Sequence, residues 1–546
     1  MRHPVVLTVL AISVAVALGT AASGTPGTKP TVREGGIFRI SFHAGSGLDY
    51  IDPALASTAA GWAVLDTTCA RLMTYPDKAP PAAFRLVPEV ATGLPTVSRD
   101  LTTYTFKLRG GFRFSDGTPV RANAFARAIH RLLVPGVESP GAQHVRDIVG
   151  AEDVRSGKAR VASGVVARGN RLVVRFVRPA PDFLHRTAST FLCAVPPSLP
   201  ADPEGVSAFP AAGPYFVREY RPGERVILRK NRFYGGKRTH HVDGFNIDLT
   251  AVSPQEVLDR VERGDADWGH TLAGIYLDPA RGLVAKYGIN RSRFFLKPGF
   301  TLRMLAFNSA RPLFRDNPSL RRAVNFALDR RAIVGVAGGP LASTPSDQYL
   351  PVTLPGFKES DVYPLEKADV GRARELAQGN LRDGKAVLYT NETPLPFALG
   401  QLVKRQLAEI GLAVEVKGLP LHTASSAYFA KLAVPGEPWD IALGLWQPSY
   451  VDPYAYLNQL FDARYIGGTN FARFSSKPVD QQMRSAARLL SGRNRNRAYG
   501  ALDVRLARDV APIAAVDFLA EPTLVSSRVG CIVLRPLLDL TSVCLL

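Results

Sequence analysis

Residues 101–119 read LTTYTFKLRGGFRFSDGTP, and a short segment, PEVA, precedes them at residues 88–91. Within the longer stretch, Tyr104, Phe106 and Leu108 alternate with polar side chains, which is the period of a strand that buries one face. The Gly-Gly pair that follows and the closing Ser-Asp-Gly-Thr-Pro run are turn formers. Two phenylalanines between these turns resume the alternation. The stretch therefore predicts a strand, a turn, a second strand and a second turn.

The chain is too long for one hydrophobic core, since 546 residues correspond to two or three domains. Its hydrophobic content of 46% and charged content of 21% are ordinary for a globular protein. An apolar strand at residues 386–389, an apolar helical stripe at 399–410 and a strand at 412–416 have the spacing of a parallel βαβ unit. The sequence therefore predicts an α/β protein.

The N-terminal residues indicate export. A basic start at Arg2 and His3 precedes the apolar run Val5–Leu18, and small residues follow it. We expect a signal peptide over residues 1–22 and a loose, Gly/Pro/Thr-rich leader over residues 23–34. An uncleaved membrane anchor is the alternative. Because no cysteine lies near the expected cleavage region, a lipid-modified cysteine is not supported, and we expect a periplasmic, extracellular or cell-wall-associated protein.

Four cysteines, Cys69, Cys193, Cys531 and Cys544, remain in the expected mature chain. An even number in an exported protein favours disulfides, and four cysteines allow three pairings. Cys531–Cys544 is the simplest choice because it closes a small loop, and Cys69–Cys193 would then follow. Four free buried thiols are the alternative. Metal ligation is not expected, because no CxxC or Cys/His spacing accompanies these residues.

The formal charge of +20 raises the question of a polyanionic partner. Nucleic-acid binding would require a clustered basic face with interleaved aromatic residues, whereas the arginines of this chain are dispersed. We therefore expect no nucleic-acid partner. Attraction to anionic cell-wall polymer or lipid headgroups is one remaining interpretation, and charge that serves solubility alone is the other.

Motifs of enzymes and metal sites are missing from the sequence. There is no HExxH and no GxSxG, and the Gly-Gly-Lys run at residues 235–237 is no phosphate loop, because Arg238 replaces the required Ser/Thr and the leading glycine is missing. His240 and His241 lie near Asp243, but beside basic residues they are interpreted as a solvated loop rather than a nickel or haem-iron site. No enzyme activity, cofactor or metal is predicted.

Several segments together resemble one protein family. They are GGIFRI at residues 35–40, the stretch at 88–119, AAGPY at 211–215, GDADW at 264–268 and RRAVNFALDR at 321–330. This combination is similar to the extracytoplasmic solute-binding proteins of ABC importers, family 5, the peptide/nickel/oligopeptide-binding type. The resemblance implies a two-lobed periplasmic-binding-protein-like fold of type II with an extra subdomain, mixed sheets flanked by helices, and a hinge between the lobes.

The resemblance also implies a division of the chain into lobes. The expected parts are the lobe I core at residues 35–65, 206–300 and 510–546, the extra subdomain of lobe I at 66–205, and lobe II at 301–509.

One loop, LWQPSYVDP at residues 445–453, resembles the W-x-x-D-Y-x-D/E-P loop of the family. In the peptide-binding members, the aspartate three residues after the tryptophan pairs with the α-ammonium of the peptide. Ser449 occupies that position here, and Asp452 matches the acidic residue before the proline, which is more often structural. We therefore hypothesise a ligand other than a free-amine peptide bound in the usual way: a blocked or cyclic peptide, a glycoside or another polar molecule. A shift of three in the alignment would instead restore Asp452 as the amine acceptor.

Aromatic walls suit the faces of peptides and sugars, so Trp446 and Tyr450 are candidate pocket residues, with core packing as the alternative. His43, at the end of the first strand, and Trp62 are further candidates, for which packed or surface positions are the alternative. Asn308 is either a strand-end cap or a ligand contact.

The resemblance implies the binding component of an ABC importer. This monomer, peripheral to the membrane, would bring a peptide or peptide-like solute to the permease subunits. The alternatives are a binder of a glycoside, metal chelate or haem, a sensor or scavenger without a transporter, an exported enzyme, and a basic cell-surface adhesion protein.

Overall fold

The computed structural model describes residues 32–43, 48–206, 208–270, 277–297, 299–420, 426–489, 492–534 and 540–546. The predicted signal peptide at 1–22 and most of the leader lie outside these residues. Among the described residues, no helix is both long and apolar enough to cross a bilayer. The chain is α/β, with strands in seven-, six-, four- and two-stranded sheets.

The strands are numbered in chain order. They are β1 (Ile37–His43), β2 (Met73–Thr74), β3 (Val87–Pro88), β4 (Thr96–Val97), β5 (Thr103–Lys107), β6 (Val165–Arg168), β7 (Arg171–Arg175), β8 (Tyr215–Arg221), β9 (Arg225–Lys230), β10 (Gly244–Ala251), β11 (Trp268–His270), β12 (Phe294–Lys297), β13 (Leu302–Phe307), β14 (Ser343–Pro345), β15 (Lys385–Asn391), β16 (Ala413–Leu419), β17 (Ile441–Trp446), β18 (Ile513–Leu519) and β19 (Glu521–Val525).

The α-helices are numbered in the same way. They are α1 (Ala59–Thr68), α2 (Ala122–Arg131), α3 (Ala151–Arg155), α4 (Phe183–Arg186), α5 (Pro254–Arg263), α6 (Leu277–Tyr287), α7 (Pro318–Ala327), α8 (Arg330–Val336), α9 (Val370–Ala377), α10 (Pro394–Ala408), α11 (Ser426–Ala433), α12 (Tyr454–Phe461), α13 (Lys477–Ala487) and α14 (Arg493–Arg505).

Lobe I is built on the seven-stranded sheet, in the order β12-β19-β11-β1-β10-β9-β8. Its first strand, β1, runs parallel to both β10 and β11. The alternating side chains Phe38, Ile40 and Phe42 of β1 are buried, as expected for a strand with one face in a core.

The extra subdomain of lobe I contains the four-stranded sheet β4-β5-β7-β6. In β5, Tyr104 and Phe106 are fully buried and pair across the sheet with Val174 and Leu172 of β7. The first predicted strand is therefore present. The predicted second strand is not, because residues 112–114 form only a local isolated bridge, from Arg113 to Pro119, and do not join the sheet. The two phenylalanines are buried by tertiary packing instead.

Lobe II is built on the six-stranded sheet β14-β18-β13-β17-β15-β16. Here the predicted βαβ unit is confirmed: β15 and β16 run parallel, and α10 joins them. Helix α7 begins after Asn317, whose side chain accepts a hydrogen bond from the backbone of Leu320, and Pro318 is the first helical residue. It ends at Ala327, and Asp329 caps a separate helix, α8.

The two lobes are joined by two neighbouring segments, one between β12 and β13 and the other, Ala520 alone, between β18 and β19. These segments approach closely at Gly299, where an added Cβ would lie 1.2 Å from the carbonyl oxygen of Leu519. We call them the hinge. The expected lobe boundary at 509/510 moves to Ala520, because β18 is hydrogen-bonded to β13 and β14 within the lobe II sheet.

All four cysteines lie in disulfide pairs. Cys69 pairs with Cys193, with Cα atoms 5.3 Å apart, and Cys531 pairs with Cys544, with Cα atoms 5.1 Å apart. The first pair joins the end of α1 to the extra subdomain, and the second closes a loop near the C-terminal residue. Of the three pairings that the sequence allowed, the structure therefore contains the one that was preferred.

Candidate functional site

A cavity lies between the lobes, in front of the hinge. Helix α1 contributes Trp62, the loop after β17 contributes the segment 447–449, and strand β19, which follows the hinge residue Ala520, contributes Glu521. Its volume is about 90 Å³, below the ~300–1,000 Å³ of typical ligand pockets. Because its walls come from both lobes, the cavity would widen if the lobes moved apart about the hinge.

The indole of Trp62 forms one wall of the cavity, as the sequence analysis considered. Its Nε1 donates to the backbone oxygen of Ala56 at 2.9 Å, and its ring meets Phe191 edge-on at 6.3 Å. The turn before α1 is held by Asp49, which accepts from the hydroxyl of Thr58. Trp62 is thus a half-buried aromatic surface in a defined orientation, suited to contact with an apolar or cationic group.

Four charged side chains form a closed cluster on the lobe I side of the cavity. Arg71 and Arg238 each reach Asp66, at 2.6 and 2.8 Å, and each approaches Glu89, at 3.8 and 3.7 Å. We call these residues the charge quartet. Two guanidinium groups face two carboxylates, so the quartet is electroneutral, and both Asp66 and Arg71 border the cavity.

Glu521 is a cavity residue that the sequence analysis missed. It begins β19 and lies directly opposite Lys297 of β12, so both side chains are on the same face of the hinge strands. Burial raises the pKa of Glu521 to about 7, although the charge of Lys297 acts in the opposite direction. The sequence does show an acidic residue two positions after β18, but only the tertiary structure brings that residue to the cavity.

The loop that follows β17 was the predicted ligand-binding segment. Ser449 borders the cavity, and its Oγ is hydrogen-bonded to Nε2 of His144 in lobe I at 3.0 Å. Burial, together with the charge of Arg186, lowers the pKa of His144 to about 3. The imidazole is therefore neutral at physiological pH, and this loop connects the lobes by a neutral hydrogen bond.

Tyr450 and Trp446 do not border the cavity. The hydroxyl of Tyr450 donates to Oδ2 of Asp182 in lobe I at 3.0 Å, and that carboxylate is also held by Arg186 at 2.7 Å. Trp446 is buried within lobe II, where its Nε1 donates to the backbone oxygen of Ala455. Of the two interpretations, packing in the core describes both aromatic rings in this structure.

Asp452 is buried and committed to lobe II. Its carboxylate pairs with Arg495 at 2.6 Å and accepts from the backbone of Tyr454 at 2.8 Å, while Nε2 of His185 in lobe I lies 3.5 Å away. Next to it, the backbone N–H of Val451 donates to the hydroxyl of Tyr75 in lobe I at 3.0 Å. This environment agrees with a structural acid before Pro453 rather than with an amine acceptor.

The two remaining candidates lie away from the cavity. Asn308 is buried at the end of β13, where its side chain donates to Trp439 and accepts from the backbone of Ala310, the contacts of a strand-end cap. His43 ends β1 opposite Ala251 of β10. Of the predicted ligand-binding residues, Trp62 and Ser449 meet at the cavity, while Trp446, Tyr450 and Asp452 support the loop beside it.

The two adjacent histidines of the sequence have separate partners. Nδ1 of His240 lies 2.7 Å from the backbone oxygen of Arg238, and Nδ1 of His241 lies 2.6 Å from the carboxylate of Glu34. Within the described residues, no group of three His, Cys, Asp or Glu side chains is arranged to hold a metal ion.

Comparison with known proteins gives matches over most of the chain. The family model described as bacterial extracellular solute-binding proteins, family 5 Middle, matches residues 85–468. The probable D,D-dipeptide-binding periplasmic protein DdpA of Escherichia coli K12 is 22% identical over 82% of each chain. The oligopeptide-binding protein OppA of Bacillus subtilis is 27% identical over 68% of this chain and 69% of that one.

Among solved structures, clavulanic acid biosynthesis oligopeptide binding protein 2 superimposes with a TM-score of 0.83 at 23% identity, over 95% of this chain and 96% of that chain. At this level of identity the superposition establishes the two-lobed fold.

Proposed function

This chain belongs to the bacterial extracellular solute-binding proteins of family 5, and we propose that it captures a peptide or peptide-like solute in the cleft between its lobes for an ABC importer. The observation that carries the proposal is the cavity whose walls come from lobe I, from the loop at 447–449 of lobe II and from the hinge. A site of this kind can be opened and closed around a solute by one relative movement of the lobes.

Closure is supported by direct contacts between the lobes. The loop after β17 places Ser449 against His144, Tyr450 against Asp182 and the backbone of residue 451 against Tyr75. We call this set the inter-lobe latch. A solute that contacts both walls of the cavity lowers the free energy of the closed state only, and so shifts the population of the protein towards that state.

The ligand is a peptide or peptide-like molecule. Two relatives in the comparison are named as binders of oligopeptides or D,D-dipeptides. The cavity offers an aromatic wall at Trp62 and hydrogen-bonding side chains at Gln447, Ser449 and Thr190, which suit the mixed apolar and polar surface of a short peptide.

The protein acts outside the cytoplasmic membrane, as a monomer peripheral to it, and transfers its ligand unchanged to the permease subunits. The closed arrangement of the lobes is what the permease would recognise. No covalent chemistry on the ligand is part of this function, because the family whose model matches this chain is described as solute-binding proteins.

The proposal is tested by native mass spectrometry of the mature protein with a pool of synthetic tri- to pentapeptides. The matched variants are Ala59→Trp, which places an indole at the cavity wall, and Val252→Trp, at a residue that is 80% exposed. We expect peptide adducts on the wild type and on Val252→Trp, and few on Ala59→Trp. A wild-type protein that binds no peptide, or an Ala59→Trp variant that binds as well as the control, would refute the proposal.

A further inference from the structure

We propose that Glu521 is the ligand's cation acceptor, binding a primary ammonium group that enters the cavity between Trp62 and Ser449. The inference rests on the proposed function and adds a chemical class of ligand to it. Two sources share this chemistry, the α-amine of a peptide and the side chain of a lysine, and the experiment below separates them.

The other charges at the cavity are already balanced among themselves. Asp66 is bound by two guanidinium groups, those of Arg71 and Arg238, and Glu89 completes the charge quartet. The hydroxyl of Tyr234 also donates to Glu89 at 2.9 Å. A ligand cation placed at the quartet would meet two positive charges beside the two negative ones. The quartet is therefore a poor acceptor for an ammonium group.

Glu521 differs from the quartet in its surroundings. It borders the cavity, and within the described part of the chain burial and the charge of Lys297 act on its carboxylate, with no hydrogen bond among the causes of its pKa shift. Lys297, across the strand pair, contributes a favourable charge, but its ammonium lies against the ring of Trp268, 5.5 Å from the centroid. The carboxylate thus has acceptor capacity left on the side that faces the cavity.

The rest of the cavity complements an ammonium group. An ammonium carries three N–H donors and no acceptor, and the side chains of Ser449, Thr190 and Gln447 present oxygen atoms at the same cavity. The indole of Trp62 can contact the cation through its ring face. A volume of about 90 Å³ accommodates the head group of a ligand, while the remainder of the molecule would lie in the opened cleft.

This arrangement explains how the protein could bind an amine without an acidic residue at position 449. Ser449 leaves the lobe II wall uncharged, and Glu521, next to the hinge, supplies the carboxylate instead. Because Glu521 directly follows the hinge residue Ala520, an amine could bind to it before the lobe II wall closes. Ser449 would reach it afterwards, when the latch forms.

Proton linkage supplies a second, independent readout. Burial raises the pKa of Glu521 to about 7, so near neutral pH part of the population is protonated. The groups that face it are Lys297 on β12 and, across the cavity, Asp66, Arg71 and Tyr75. A bound ammonium stabilises the carboxylate, lowers its pKa and therefore releases protons. Affinity should fall as the pH drops below about 7.

The experiment is isothermal titration calorimetry with three peptide pools. The first contains tri- to pentapeptides without Lys or Arg and with free N-termini, the second is the same pool acetylated, and the third is an acetylated pool in which each peptide has one lysine. Each is titrated into the wild type, Glu521→Gln and Glu415→Gln, a matched change at an exposed glutamate. Thermal unfolding of the variants establishes that they are folded.

We expect acetylation to weaken binding to the wild type and to Glu415→Gln by about 10–100-fold, the range of a hydrogen-bonded charge pair. In Glu521→Gln the free and acetylated pools should bind alike, and proton release near pH 7, measured in buffers of different ionisation enthalpy, should disappear. Strong binding of the third pool would identify a lysine side chain as the cation, and weak binding would identify the α-amine.

Two results would overturn the inference while leaving the proposed function intact. One is an acetylated pool that binds the wild type as tightly as the free pool. The other is an acetylation penalty of the same size in Glu521→Gln, which would place the amine elsewhere. Failure of the wild type to bind any of the three pools would instead refute the proposed function itself, and the two failures are thus distinguished.

Discussion

Tyr450→Phe removes a single hydroxyl from the inter-lobe latch. The hydroxyl donates to the carboxylate of Asp182 in lobe I and accepts from Nε2 of Gln459 in lobe II at 3.2 Å. Tyr450 is almost completely buried, so phenylalanine fills the same space. The contact with Asp182 exists only when the lobes are closed, whereas the contact with Gln459 lies within lobe II.

The size of the effect follows from these contacts. A hydrogen bond to a charged group contributes about 1.5–3 kcal/mol. Asp182 keeps both bonds from Arg186, at 2.7 and 2.9 Å, so no bare charge is left and the lower limit applies. A loss of about 1.5 kcal/mol from the closed state corresponds to roughly tenfold weaker ligand binding.

The assay combines peptide affinity by calorimetry with the radius of gyration by small-angle X-ray scattering. The control is Tyr454→Phe, because the hydroxyl of Tyr454 contacts Tyr465 at 3.0 Å and both belong to lobe II. We expect Tyr450→Phe to weaken peptide binding and to increase the radius of gyration. We expect Tyr454→Phe to lower the melting temperature without either effect. Equal effects of the two changes on affinity, or wild-type affinity in Tyr450→Phe, would refute the role of the latch.

Three further perturbations test the hinge, the buried histidine and the buried ion pair. Gly299→Ala places a methyl group on the carbonyl oxygen of Leu519 and should lower the free energy of unfolding by about 3 kcal/mol or more, measured by urea denaturation. Burial lowers the pKa of His144 from 6.5 to about 3. Below pH ~6.5 its imidazole therefore stays neutral in the folded protein, whereas it becomes protonated in the unfolded chain. Its contribution to stability is therefore complete above pH ~6.5 and declines by up to ~1.4 kcal/mol per pH unit below it, a slope that His144→Gln should reduce. Arg495→Met leaves Asp452 buried without its cation and should cost about 3–5 kcal/mol.

Matched controls exist for these changes. Gly282 is exposed in α6 with open space at its Cβ position, so Gly282→Ala should stabilise the protein by ~0.5–1 kcal/mol. Arg484 is exposed, and Arg484→Met should change stability by less than ~0.5 kcal/mol. If Gly299→Ala changed stability no more than Gly282→Ala, the close approach at the hinge would be contradicted. If Arg495→Met behaved like Arg484→Met, the buried ion pair would be contradicted. An unchanged dependence of stability on pH in His144→Gln would contradict the histidine prediction.

Much of the fold could be predicted because the patterns that encode it are local. The alternation through Tyr104 and Phe106 follows from the two-residue period of a strand, and the βαβ unit of lobe II follows from a helical stripe between two apolar strands. The same logic failed at residues 112–114. Alternation there reflects burial of side chains in a compact turn, and a period of two does not by itself reveal whether a neighbouring strand is available for pairing.

The site was predicted less completely. The resemblance singled out the loop after β17, and Ser449 of that loop borders the cavity. The aromatic neighbours expected as pocket walls, Trp446 and Tyr450, are instead buried against α12 and lobe I. Whether a tryptophan packs or faces a ligand depends on what the other lobe places against it. That information is spread over segments hundreds of residues apart.

The sequence by itself determined the α/β class, the βαβ unit of lobe II and the family, because each depends on short-range periodicity, residue type or an ordered set of motifs. It favoured one disulfide pairing among three, and the tertiary structure decided between them. Only the tertiary structure decided that Glu521, at the start of a hinge strand, shares a cavity with Trp62 and Ser449. The physical reason is that the hinge brings two lobes together. A cavity between them is defined by the distances between surfaces, which no local pattern along the chain contains.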